Sequence, residues 1–167
     1  MEIKINHSKQ WSTHMPMLIR SLELSSGDVV EVGGGLFSTP ILHWYCKLHK
    51  RKLITYENEP TFFEFAKKFQ SPGHRVRLIK NWDDMDFKTH RGLVFIDHHP
   101  NERRTVDIIN FKNSADYIVI HDTEKPEKYG YDAIWEHFKY TLTWKDCRPW
   151  TSVVSNFKEL NNLSKLI

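Results

Sequence analysis

Residues 29 to 40, Val-Val-Glu-Val-Gly-Gly-Gly-Leu-Phe-Ser-Thr-Pro, constrain this chain more than any other stretch. The apolar run Val29 to Val32 suits a buried strand. Gly33 to Gly35 suit a turn through backbone conformations that other residues resist, and Thr39-Pro40 the cap and first position of a helix. A loop without side chains lets a ligand lie against it, and the N–H groups of a helix start favour a carboxylate or phosphate beside them. A nucleotide-like cofactor is the guest this arrangement predicts; tight packing of strand against helix is the other reason for such a turn.

The remaining chain alternates in the same way. Ser12 or Thr13 caps a first helix to about Leu24, with Met15, Leu18, Ile19 and Leu22 on one apolar face, and Ser25-Ser26-Gly27 ends it. Pro40 to Lys50 is a helix with Ile41, Trp44, Tyr45 and Leu48 inward; Leu53 to Tyr56 is a strand buried on both faces. Pro60 opens a helix whose Phe62, Phe63, Phe65, Ala66 and Phe69 face the sheet. Strands follow at Val76 to Ile79, Leu93 to Ile96 and Tyr117 to Ile120, with a helix over about Asn101 to Lys112 that buries Val106 and Ile109. A helix with Ile134, Trp135 and Phe138 precedes two strands, Tyr140 to Trp144 and Thr151 to Phe157, whose short connector makes them antiparallel. The pattern predicts an α/β fold, a three-layer Rossmann-like sandwich around a seven-stranded, mainly parallel sheet with the last strand antiparallel.

At 167 residues the chain is expected to be a single domain, 1–167, with an N-terminal helical segment at 1–27 and a weakly ordered tail at 158–167. No apolar run is long enough to span a membrane, and Met1 to Gln10 lack a signal-peptide core, so a cytoplasmic protein is expected. Cys46 and Cys147 have neither disulfide-framework nor metal-ligand spacing and are expected to be free thiols. The net charge of +3 is spread over several helices, which indicates a solvated surface rather than a nucleic-acid stripe.

Ligands of open parallel sheets bind beyond the carboxyl ends of the strands, near the point where strand order reverses. Those ends here carry Gly33 to Gly35, Glu57, Trp82-Asp83, Asp97-His98-His99 and His121-Asp122. Glu57 follows Gly33 by 24 residues, close to the roughly 20 at which an acid accepts hydrogen bonds from ribose hydroxyls. Trp82 offers a flat face for adenine and Asp83 an acceptor for its amino group.

On these residues the chain resembles a class I S-adenosylmethionine-dependent methyltransferase, from the first helix to Phe157. Glu31-Val32-Gly33-Gly34-Gly35 resembles that family's first motif, Glu57 its ribose acid and Trp82-Asp83 its adenine-side loop. The closing antiparallel pair resembles the end of its seven-stranded sheet. The resemblance implies S-adenosylmethionine as cofactor, held by Glu31, Gly33, Gly34, Gly35, Thr39, Glu57, Trp82, Asp83 and Asp97. It implies methyl transfer to an unidentified acceptor, with oxygen slightly favoured. Val94 to His98 with Ile120 to Asp122 is similar to the catechol O-methyltransferase type, in which Asp97 and Asp122 would hold magnesium. Thr123 replaces that type's asparagine ligand and Pro100 its lysine base, so magnesium is possible but not favoured, and Asp97 instead meets the cofactor's ammonium group.

His98 is the favoured base because imidazole titrates near neutrality, with Asp122 as orienter or second base; His99 and His121 are the other candidates. Arg103 and Arg104 could anchor an anionic substrate but read more readily as helix-surface residues, and Tyr129, Tyr131 and Trp150 read as lining for an acceptor pocket. No insertion provides a lid, so a large acceptor, a homo-oligomer or a partner chain covers the site. Two other functions remain open: a non-catalytic cofactor-binding subunit, and a metal-dependent phosphoesterase of the DHH type suggested by Asp97-His98-His99.

Overall fold

Strand and helix alternate because short β-branched runs are separated by capped amphipathic segments, and the computed structural model, which describes residues 8–164, shows each run in one sheet. Helix α1 (Met15–Leu24) leads to β1 (Val29–Val32), α2 (Ser38–Leu48), β2 (Leu53–Glu57), α3 (Pro60–Lys67) and β3 (His74–Leu78). Then come β4 (Arg91–Ile96), α4 (Arg103–Phe111), β5 (Ala115–His121), a short α5 (Pro126–Tyr129), β6 (Tyr140–Trp144), β7 (Thr151–Ser155) and a short α6 (Asn161–Ser164). The strand order is β3-β2-β1-β4-β5-β7-β6, and β7 alone runs against the rest. The order reverses between β1 and β4, whose register pairs Val29 with Leu93 and Val32 with Ile96.

Side chains along a strand alternate between faces, and the core divides accordingly. Val30, Val32, Val94, Ile96, Ile118 and Ile120 pack under α4 and the segment to Phe138. Val29, Leu93, Phe95, Tyr117, Val119 and Val153 pack against α1 and α2. The edge strand β3 exposes Arg75 and Arg77, charges that discourage pairing with another strand. No helix among the described residues is long and apolar enough to cross a membrane.

Several expectations about helix faces need correction. In α2 the buried residues are Ser38, Thr39, Leu42, His43 and Cys46, while Trp44 and Leu48 are 58% and 77% exposed. The Thr39 hydroxyl is drawn inward to the Glu31 carboxylate, and at 100° per residue that rotates the predicted apolar stripe toward solvent. In α1 the inward set is Met17, Leu18, Ser21 and Leu22, not Met15 or Ile19. In α4 it is Arg104, Asp107, Ile108 and Phe111, with Val106 exposed. The phenylalanines of α3 are half-buried, and Ala66 alone is fully covered, since α3 lies over the sheet's edge. The segment around Ile134 is two 3-10 turns rather than a helix. Leu160 and Leu163 are buried in the core, so the tail is docked as far as α6; 1–7 and 165–167 lie outside the described residues.

Gly33 has φ +92°, and a Cβ there would lie 2.6 Å from the Asp97 carbonyl oxygen. Its substitution therefore strikes the β1–β4 junction itself. Gly33→Ala is expected to destabilise the protein by at least about 1–3 kcal/mol, read as a lower urea midpoint, rather than to leave the fold intact and lose a ligand alone.

Candidate active site at the sheet switch point

A cleft of about 480 Å³ opens over the tips of β1, β2, β4 and β5. Gly34 to Ser38 form one wall, Glu57 to Pro60 with Phe62 and Trp11 a second, and Asp97 to His99, Arg104, His121 and Asp122 the third, with His14 and Pro149 at the base.

The glycine wall is held from below. Glu31 is fully buried, and its carboxylate accepts hydrogen bonds from Thr39 Oγ1 at 2.9 and 3.0 Å and from Thr55 Oγ1 at 2.6 Å. Thr39 Oγ1 in turn accepts the Gly35 N–H at 3.0 Å. Glu31 and Thr39, expected at the cofactor, anchor the loop instead of lining the cleft. Burial pushes the Glu31 carboxyl up to about 7, against the pull of its hydroxyl partners. The chain continues through Thr55 Oγ1 to His74 Nε2 at 2.9 Å and from His74 Nδ1 to His43 Nδ1 at 3.1 Å.

The loop's missing side chains clear protein rather than ligand. A Cβ on Gly34 would approach Ala66 at 3.3 Å, and one on Gly35 would meet Ser38 Oγ at 2.9 Å. The helix begins at Ser38, after an N-cap, Phe37, that gives no side-chain cap, rather than with Thr39 as cap and Pro40 as first position. Glu57 accepts N–H bonds from Gly34 on Oε2 and from Asn58 and Glu59 on Oε1, all at 2.7–2.8 Å. Burial raises its pKa, and those three amides oppose the rise. Oε2 retains one lone pair for a further donor from the cleft.

Trp82 and Asp83 are not where an adenine pocket would need them. Trp82 is buried, donates Nε1–H to the His99 carbonyl at 3.1 Å and lies with its ring 4.2 Å from that of His98. Asn58 Nδ2, just past β2, donates to the same carbonyl, so the segment after β4 reaches the loops that follow both β2 and β3. Asp83 faces solvent and pairs with Arg103 at 2.6 Å. The proposed base is also displaced: His98 is 2% exposed, and its Nε2 lies 3.0 Å from Asp107 Oδ2 beneath α4. Burial holds the His98 imidazole below its ordinary range although Asp107 raises it. Asp97 is directed at Arg104 and His121 whereas His98 Nε2 faces Asp107, so these two side chains do not converge on one ion as a DHH-type phosphoesterase needs.

Sequence reasoning missed the centre of the third wall. Arg104 is buried beside the cleft: Nη2 meets Asp97 Oδ1 at 2.9 Å, Nη1 donates to Asp122 Oδ2 at 3.1 Å, and Nε donates to the His98 carbonyl at 2.6 Å. Its guanidinium lies over Tyr129, 5.1 Å from the ring centre. The cation thus stands between the two carboxylates that magnesium would share. Asp97 Oδ2 lies 3.1 Å from His121 Nδ1, and Tyr129 donates its hydroxyl to Asp122 Oδ2 at 3.2 Å. Burial disfavours the charged forms, but His121 and Arg104 hold Asp97 well below the usual carboxylate range, and Asp97 raises His121. Asp122 has φ +61°, a left-handed conformation that acidic residues tolerate and that belongs to the tight turn after β5. Tyr131 is buried and Trp150 half-buried; neither lines the cleft. Cys46 is buried, with its thiol pushed up to about 12 by burial, and Cys147 is exposed; both are free. The signal that points to Arg104 is its spacing from Asp107, Ile108 and Phe111, one helical face.

A seven-stranded sheet in this order, with an anchored glycine loop and a cleft at its reversal point, defines the class I methyltransferase fold. Solved structures agree. The chain is similar to a precorrin-6y C5,15-methyltransferase from Geobacter metallireducens, with TM-score 0.62 and 13% identity over 90% of this chain and 93% of that one. It is similar to the N-terminal domain of human METTL16 in complex with SAH, with TM-score 0.61 and 11% identity over 93% and 73%. It also matches spermidine synthase in complex with the transition-state analogue AdoDATO, with TM-score 0.62 and 15% identity over 88% and 59%. No family model and no curated protein sequence matches the chain.

Arg104→Met removes the buried cation that Asp97 and Asp122 share and is expected to cost about 3–5 kcal/mol in urea unfolding at pH 7. Glu31→Gln should act in the opposite sense. The folded-state pKa of Glu31 is raised from 4.5 to about 7, so its charge weighs against folding above pH 7 and not below 4.5. The variant should be more stable than the parent by about 3 kcal/mol above pH 7, and the two should converge below pH 4.5.

Proposed function

We propose that the cleft binds S-adenosylmethionine and that the protein transfers its methyl group to an acceptor. The observation that carries this reading is Glu57, a carboxylate at the tip of β2 that lines the cleft, is fastened to the Gly34 amide and has a further acceptor position on Oε2. A ribose hydroxyl suits that position. At the start of α2, Thr39 donates its N–H to the Gly35 carbonyl and Pro40 has none, so Ser38, which lines the cleft, is the first-turn residue beside which the carboxylate of an amino-acid tail would lie. The volume lies within the ordinary range for small-molecule sites. When bound, S-adenosylmethionine supplies an electrophilic methyl group on a sulfonium.

The chain's own work is then to fix both reactants in line and to remove a proton from a hydroxyl acceptor. Asp122 is the group placed for that removal. Its Oδ2 is occupied by Arg104 and Tyr129, whereas Oδ1 has no hydrogen-bond donor among the described residues and lies 3.7 Å from His121 Nδ1. The favoured oxygen acceptor rests on this carboxylate. The cleft is open, so a large acceptor or a partner chain covers it during reaction.

Calorimetry with S-adenosylmethionine should show binding by the parent and at least a tenfold loss in Glu57→Ala, about 1.4 kcal/mol. Equal affinity in the variant would remove Glu57 from the site. With methyl-labelled cofactor and fractionated cell extract, one fraction should gain label, and Asp122→Asn should slow that labelling by about 10²–10⁴-fold with cofactor affinity retained. Binding with no labelled fraction would favour the non-catalytic subunit.

A further inference from the structure

Three side chains from three elements meet at the base of the cleft: His14 at the N-cap of α1, Asp97 after β4 and His121 at the end of β5. One ligand atom from each lies within 4.8 Å of the others. His14 is the unexplained member. It is 2% exposed, neither ring nitrogen has a hydrogen-bond partner, and its ring stands edge-on to that of His121, with centres 4.9 Å apart. Buried polar groups without partners are rare in native proteins, and here the orphan lines a cleft.

The neighbours are arranged as a coordination shell requires. Asp97 Oδ1 is oriented by Arg104, which leaves Oδ2 directed at His121 Nδ1, 3.1 Å away. His121 Nε2 lies 2.9 Å from Thr13 Oγ1, and that hydroxyl is within 2.8 Å of the Pro149 carbonyl. Ligating imidazoles are commonly fixed through the second ring nitrogen in this way. Two ligands each about 2.0–2.1 Å from a tetrahedral ion are about 3.3 Å apart. Asp97 and His121 already satisfy that separation, and the His14 imidazole, at a helix end, has at most about 1.5 Å to close.

We propose that His14, Asp97 and His121 bind one divalent first-row transition metal of the zinc type, with its remaining coordination positions open to the cleft. Two imidazoles and one carboxylate suit such an ion, whereas magnesium prefers oxygen ligands and would have to share Asp97 and Asp122 with Arg104. The open positions would take water or an oxygen of a bound molecule.

The experiment uses the full chain without an affinity tag, stripped by a chelator and titrated with Co²⁺ and then Zn²⁺ in the absence of cofactor, so its result is separate from that of the methyl-transfer reading. The parent should take up one Co²⁺ with a visible ligand-field band that one Zn²⁺ abolishes, and zinc should raise its unfolding temperature. His14→Ala should weaken uptake at least tenfold, as should His14→Gln if the alanine variant does not fold; His90→Ala, at an exposed histidine, should bind as the parent does. Absence of stoichiometric uptake by the folded parent, or uptake unchanged in the folded His14 variant, would overturn the site and leave Asp97 and His121 as an ion pair with a buried imidazole beside it.

Discussion

A single buried guanidinium holds the working end of this molecule together. Arg104 reaches from α4 to Asp97 after β4, Asp122 after β5 and the carbonyl of His98, so one side chain fixes the ends of two adjacent strands and the connection between them. Two carboxylates this close would otherwise repel each other, and one would take up a proton to relieve it. With the cation between them that repulsion is offset, and the guanidinium ties the two strand ends together. Tyr129 closes it from the other side by lying against the guanidinium and donating to Asp122.

The same device sets the rotation of the helices. A polar residue at the N-terminal end of each of three helices is turned toward the cleft or its foundation: His14 in α1, Thr39 in α2, Arg104 in α4. The helical repeat then dictates which residues face the core. Met17, Leu18, Ser21 and Leu22 follow His14; Leu42, His43 and Cys46 follow Thr39; Asp107, Ile108 and Phe111 follow Arg104. Apolar residues one position off these faces, such as Trp44, Leu48 and Val106, are left outside. Packing and site are thus one constraint, since a helix cannot rotate to bury more apolar surface without breaking its polar tether.

Below the glycine loop the arrangement is comparable but carries a different charge. Glu31, Thr39 and Thr55 fasten Gly35 from inside the sheet, and His74 and His43 extend the hydrogen-bonded chain toward the opposite end of the strands. Burial raises the Glu31 carboxyl and lowers the His74 imidazole to about 4, so both groups are driven toward their neutral forms. The loop is therefore shaped by protein on its inner side, and Glu57 joins its Gly34 amide to the cleft.

The order of strands and helices, the position of the glycine loop and the collection of polar residues at one edge of the sheet were legible in the sequence, because strand and helix periods, breakers and caps are local properties. β6 was bounded residue for residue, and Glu57 stands at the end of β2, where the apolar run before it had put it. What local pattern could not supply was the direction of individual side chains at that edge. His98 and Asp97 are adjacent, yet one enters the core against Trp82 and the other faces the cleft. Arg104 looked like a surface residue until the carboxylates of β4 and β5 were brought to it. Directions of that kind depend on partners far away in the chain, and only the tertiary structure, by making burial of each charge conditional on its counter-charge, decided them.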